Sequence, residues 1–312
     1  MAERRSPRRP IATYSVVARD NTGALGVAVQ SHWFNVGAVV PWVEAGVGAV
    51  AVQSISDPSI GSRALIRLRT GDDAEATLAS LLDGDGDAGY RQIAVVDARG
   101  GVAAHTGALC IAEAGHETGD GFSAQANLMD RATVWGAMAG ALKRSEGDLA
   151  SRLLVALEAA ESEGGDVRGR QAAALVVAPA PGGVGPRFDL RVEDDSDPLG
   201  ELRRLLTLQR AYHELNRGDA LMSRGAFEQA LGAYEAATRM VPDAATEGEA
   251  AFWTGVAFAT TGQVDEAQPF LQRAARFGDR WSRLLPRLVR SKMFPEDEAL
   301  LHRLLEGMTP PL

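Results

Sequence analysis

From Thr13 the chain alternates along TYSVVARD, pauses at the turn residues Asn21 to Gly23, and resumes with ALGVAVQS up to Ser31. Such a period of two around a short turn predicts a β-hairpin. A further apolar stretch, Val47 to Val52, ends in Gln53 and Ser54, after which Pro58 can open a helix running towards Thr70 and a second helix follows Asp73. Strands are predicted at Gln92 to Asp97, Gly101 to His105 and Phe122 to Ala126, and helices from about Ala132 to Lys143 and from Leu149 to Ser162. Gln171 to Ala178, a Pro/Gly loop from Pro179 to Pro186, and a last strand Arg187 to Val192 complete the series. Runs such as VAV and ALVVA read as strands covered on both faces. The order therefore predicts an α+β domain over 13–194: two sheets face to face with helices outside, a four-layer αββα sandwich.

After Asp194 the pattern is helical alone, with Asp197-Pro198 as the start of a long amphipathic segment, Leu199 to Leu215. Gly218, Leu221, Gly225, Phe227, Ala230, Tyr234, Ala237 and Pro242 recur, 37 residues on, as Gly255, Phe258, Gly262, Val264, Ala267, Leu271, Ala274 and Asp279. Small residues let paired helices approach, while Tyr234 and Leu271 fill the groove between them. The pattern resembles tetratricopeptide repeats, whose usual period is about 34 residues. Two units need caps, expected from the preceding helix and from helices near Trp281 to Arg290 and Glu296 to Glu306. Residues 195–312 are thus expected to form an all-α helical-repeat domain with capping helices.

Composition narrows the function classes. A net charge of −9 argues against a nucleic-acid binder, which needs clustered Lys and Arg. No apolar run is long enough to span a bilayer. Cys110 is the single cysteine and no Cys/His pair has zinc-site spacing, so neither an internal disulfide, a metal nor a cofactor is expected, and the cytoplasm is the expected home. The first twelve residues, MAERRSPRRPIA, carry four arginines and two prolines without an apolar stretch. They read as a disordered tail or a propeptide rather than an export signal.

The segments TYSVVARD, LGVAVQSHWFNVGAVVPW, AVQSISDPSIG, VVDARGGVAAHTG, FSAQANLM and GRQAAALVV together resemble a bacterial family known as domain of unknown function 1028, over about Thr13 to Val192. That family is similar to the N-terminal-nucleophile hydrolases. The resemblance implies a hydroxyl or thiol at the mature N-terminus that attacks an amide carbonyl with its own α-amine as base. Thr13 is the matching position. For it to act, the bond Ala12–Thr13 must be cleaved autocatalytically or translation must start downstream; otherwise Thr13 has no free amine and the site is inert. Proteasome-like relatives also keep a lysine near the nucleophile, and Val36 to Ser54 contains none.

Other polar residues gather at predicted strand ends. Ser31 and His32 close the second strand, where related hydrolases hold a group that orients the nucleophile. Gln53, Ser54, Gln125 and Asn127 could stabilise an oxyanion, and Arg170 could hold a substrate carboxylate. Several candidates have a plainer role available: Thr13 as a β-branched strand residue, His32 as a surface histidine, Gln125 and Asn127 as an inter-strand pair, and Arg170 as the partner of Asp166 or a neighbouring acid. His105, His116 and Cys110 are expected to be structural. The leading expectation is a hydrolase of an amide-like bond in a small metabolite or short peptide. The alternative is a non-catalytic binding or assembly protein, a homo-oligomer whose repeats dock a protein partner.

Overall fold

The structure is a computed structural model that describes residues 11–55, 57–183 and 187–308. The expected hairpin is formed by β1 (Thr13–Arg19) and β2 (Leu25–Ser31), paired from Tyr14 opposite Gln30 to Arg19 opposite Leu25. At its turn the Asp20 carboxylate accepts the backbone N–H of Thr22 and of Ala24, and Gly23 takes a positive φ of 88°. Then come β3 (Pro41–Glu44), β4 (Gly48–Ser54), α1 (Pro58–Thr70) and α2 (Ala74–Leu82). The helices start where the sequence places caps: the Asp57 and Asp73 side chains accept from the backbone N–H of Ser59 and Ala76. The domain continues through β5 (Arg91–Asp97), β6 (Val102–Thr106), β7 (Gly115–Gly119), β8 (Phe122–Asn127), α3 (Val134–Arg144), α4 (Leu149–Ser162), β9 (Ala172–Ala178) and β10 (Phe188–Val192).

These elements make a mixed α/β unit with two antiparallel sheets, one in the order β10-β9-β2-β1-β8-β7 and one in the order β3-β4-β5-β6. Helix α4 packs on β1, β2 and β9, α3 on β7 and β8, and α1 and α2 on the four-stranded sheet. Strand alternation explains why the apolar runs are continuous. On β4, Ala49 and Ala51 join Val17, Val27, Val29, Ala94 and Val96 in one apolar cluster, whereas Val50 and Val52 join Ile60, Ala64, Leu68 and Leu78 in another. Each fully buried valine contributes roughly 1.5–3 kcal/mol of hydrophobic stabilisation.

The chain divides into compact units at Arg204 and Leu205. The second unit is helical: the end of α5 (Pro198–Met222), then α6 (Phe227–Met240), α7 (Glu249–Thr260), α8 (Val264–Ala275), α9 (Arg280–Arg290) and α10 (Glu298–Gly307). The sequence repeat reappears as a repeated contact. A Cβ on Gly218 would lie 2.9 Å from the Tyr234 ring, and one on Gly255 2.7 Å from Leu271 Cγ. Ala230, Ala237, Ala267 and Ala274 are all fully buried in the same core. Among the described residues no helix is long and apolar enough to cross a membrane.

Three features differ from the sequence expectation. The edge strands β3 and β7 carry no clear alternation and were not foreseen. Helix α5 runs past Leu215 to Met222, through Gly218. Ile11 and Ala12, expected at the end of a disordered tail, are instead 6% and 0% exposed; the rest of that tail, 1–10, and the end of the Pro/Gly loop, 184–186, lie outside the described residues.

Candidate functional site

Ile11 and Ala12 enter the first unit as a bound strip of backbone. Ile11 forms an antiparallel bridge with Ser54: its N–H donates to the Ser54 carbonyl at 2.7 Å, and the Ser54 N–H donates back at 3.0 Å. Ser54 ends β4 at a φ of 66°, the left-handed region that costs a non-glycine residue about 1–3 kcal/mol. The Ala12 carbonyl accepts from the Ser31 hydroxyl and, at 3.0 Å, from the Arg168 guanidinium. Arg168 is itself held by Asp166, with Nε on Oδ1 at 3.0 Å and Nη2 on Oδ2 at 2.8 Å. The Asp166 carboxylate has no solvent exposure and also accepts the backbone N–H groups of Arg168 and His32. A rigid, charge-paired guanidinium and a hydroxyl therefore converge on one peptide oxygen, where they would stabilise negative charge developing on it.

Thr13 follows at once. It is wholly buried, and its hydroxyl donates to the Ile11 carbonyl at 3.0 Å. Alternation along β1 sends Thr13 and Ser15 to the face of Gln53, and Tyr14 to the opposite face, where its hydroxyl donates to Glu161 of α4 at 2.6 Å. Burial first, and Glu161 second, push the Tyr14 phenol well above its usual range, so it stays neutral.

The expected amides lie together behind Thr13. Gln53 accepts from Ser15 at 2.7 Å and donates to the Thr13 carbonyl at 3.2 Å and to Gln92 Oε1 at 2.7 Å. Asn127, opposite Thr13 in register, donates to the same Gln92 oxygen at 2.8 Å. Gln125 donates to Ser15 at 2.6 Å and accepts from Ser123 at 2.8 Å. This network joins the two sheets. Among the described residues, its one loose end is Asn127 Oδ1, a buried acceptor without a hydrogen-bond partner.

Thr13, Ser31, Gln53, Ser54, Gln125 and Asn127 are thus brought to one region. His32 and Arg170 are not part of it in the expected way. The His32 side chain is exposed and its ring meets the Arg170 carbonyl at 3.2 Å. Arg170 is engaged by Glu161 at 2.6 Å and by Asp197 at 3.3 Å, not by Asp166. The Arg170 guanidinium is thereby committed to two carboxylates of the chain. Cys110 is a poor nucleophile, because burial pushes its thiol up. His116 meets Thr106 at 2.8 Å, with its pKa lowered first by burial and then by His105. Among the described residues no group of three or more His, Cys, Asp or Glu side chains could hold a metal ion.

Sequence reasoning passed over Arg168, Gln92 and Ser15, and considered Asp166 only as a partner for Arg170. The spacing Asp166-x-Arg168, set between Gly165 and Gly169, was the available signal, since a two-residue separation in a tight loop lets a carboxylate grip a guanidinium.

Comparison with known proteins assigns the first unit. The model of a family of unknown function, DUF1028, matches residues 13–202. Among solved structures, the chain is similar to the crystal structure of protein SPO2555 from Silicibacter pomeroyi, also described as DUF1028, with 31% identity and a TM-score of 0.58 over 62% of this chain and 88% of that one. A search of curated proteins found no match. With more than half of its length matched, the chain belongs to the DUF1028 family.

Proposed function

We propose that the chain is an amide hydrolase of the N-terminal-nucleophile type, with Thr13 as nucleophile and residues 1–12 as a leader that must leave first. The observation that carries this reading is the pair of donors, Ser31 and Arg168, on the carbonyl of the residue just before Thr13. Attack by the Thr13 hydroxyl on that carbonyl would put negative charge where the two donors already point. The freed α-amine, with an unperturbed pKa of about 7.7–8.0, then serves as the base for later turnovers. Asn127 Oδ1, opposite Thr13 in register and without a hydrogen-bond partner among the described residues, suits an acceptor for that amine. Arg168 supplies a cation that the lysine-free stretch from Val36 to Ser54 does not.

The same reading takes the two sheets and their outer helices as a four-layer αββα sandwich. It takes the repeated Gly218–Tyr234 and Gly255–Leu271 contacts as tetratricopeptide-like units that dock a protein partner, in a homo-oligomeric cytoplasmic enzyme. One observation favours the alternative, a non-catalytic assembly protein. With the leader attached Thr13 is fully buried and its hydroxyl proton is given to Ile11. Substitution separates the two. Thr13→Ala should retain the full-length chain and hydrolyse no amide, whereas Thr13→Ser should retain partial activity. Unchanged amide turnover by Thr13→Ala would assign the chemistry to another residue.

A further inference from the structure

We infer that the strip filled by Ile11 and Ala12 is the acyl-binding half of the site, so that the substrate is a peptide, or an amide with a peptidyl acyl group, carrying a small residue before the cleaved bond and a branched aliphatic residue before that. The inference rests on Thr13 being the nucleophile and extends that reading to a substrate class.

Three observations define the strip. The two-way backbone pairing of Ile11 with Ser54 recognises a peptide unit whatever its side chain, as in strand addition to a sheet edge. A metabolite without a peptide N–H and C=O could not make it. The Ala12 side chain is enclosed without any exposure, which leaves no route for a larger group. Ile11 belongs to the apolar cluster of Val36, Val40 and Ala51, which would leave a charged side chain at that position desolvated and unpaired.

The chemistry gives a further reason. Attack of Thr13 Oγ1 on the Ala12 carbonyl carbon forms a C–O bond and breaks the C–N bond to Thr13, and the hydroxyl proton ends on that nitrogen. The product is an ester of the leader with Thr13, which water splits into the Ala12 carboxylate and the free Thr13 hydroxyl. An external amide with an Ile-Ala acyl group would form that same ester. A site that releases its own leader therefore already accepts this acyl group, with Ser31 and Arg168 on its carbonyl and then on its carboxylate.

The test uses protein beginning at Thr13, prepared by cleaving an N-terminal tag, and reads binding separately from turnover. Calorimetry should show acetyl-Ile-Ala binding at least about tenfold more tightly than acetyl-Ile-Phe, acetyl-Asp-Ala, or an analogue methylated on the isoleucine nitrogen. Acetyl-Ile-Ala anilide should be hydrolysed with the same ranking. Selective binding without hydrolysis would keep the acyl site and remove Thr13 as nucleophile. Hydrolysis of other amides with no preference for Ile-Ala would keep the nucleophile and overturn the acyl site, as would an absence of binding. Should the shortened protein fail to fold, leader release from the full chain decides: Ala12→Phe and Ile11→Asp should slow it at least about tenfold, and release at the unaltered rate would overturn the inference.

Discussion

Replacing Ser31 by Ala isolates one donor on the Ala12 carbonyl. That oxygen accepts from the Ser31 hydroxyl and from Arg168, and Asp166 continues to hold Arg168 after the change. In the folded ground state the lost neutral hydrogen bond is worth about 0.5–1.5 kcal/mol. In a domain of this size, 1 kcal/mol shifts Tm by about 2–4 °C. In the transition state for leader release the same oxygen carries developing charge, and removal of one such donor costs about 10²–10³ in rate, or about 2.7–4 kcal/mol. Ser31→Ala should therefore remain folded while releasing its leader about 10²–10³ times more slowly. Arg168→Ala is a less clean probe, since it leaves the buried Asp166 carboxylate unpaired at a cost of about 3–5 kcal/mol. The assay is intact mass against time on freshly purified full-length protein, with a thermal unfolding curve for each variant. Release by Ser31→Ala at the unaltered rate would refute the oxyanion role, and so would a slowing no larger than its loss of folded protein.

Other consequences can be checked independently. Tyr14→Phe removes a buried hydroxyl donated to the Glu161 carboxylate at 2.6 Å and should lower stability by about 1.5–3 kcal/mol in urea unfolding; an unchanged midpoint would mean that bond contributes nothing. Gly255→Ala introduces a Cβ 2.7 Å from Leu271 Cγ, an overpacking cost of about 1–3 kcal/mol against about 1 kcal/mol of helix propensity gained, so Tm should fall and recover in part with Leu271→Val; a rise in Tm would show that the helices separate freely. His116 should titrate by NMR below 6.5, because partial desolvation and then the neighbouring His105 disfavour its charged form. As its folded pKa is depressed, the unfolded chain takes the proton first, and its stabilising contribution, present above pH 6.5, is lost as pH falls towards the folded value; a midpoint at or above 6.5 would contradict this environment.

Much of the first unit was legible because its central strands are buried on both faces and the helices α1, α2 and α4 are capped by aspartates. TYSVVARD and LGVAVQS fall on β1 and β2, and Leu149–Ser162 on α4, as the pattern predicts. The strands not foreseen, PWVE and GHETG, lie at sheet edges and are only partly buried, so pairing with β4 and β8 creates them rather than any pattern of their own. Helix α5 continues through Gly218 because that glycine lies under the Tyr234 ring, a contact between residues 16 apart that local propensity does not carry. The candidate site was legible in part for a similar reason. Thr13, Gln53, Gln125 and Asn127 lie on strands whose alternation fixes their faces. Arg168 and Arg170 lie in one loop, where composition alone cannot tell which guanidinium reaches Ala12.

The most direct test of the account is the N-terminal sequence and intact mass of the protein made in its native host. The account predicts a chain that begins at Thr13, lacking all twelve preceding residues. Folded protein in which Ala12 remains joined to Thr13 would contradict it.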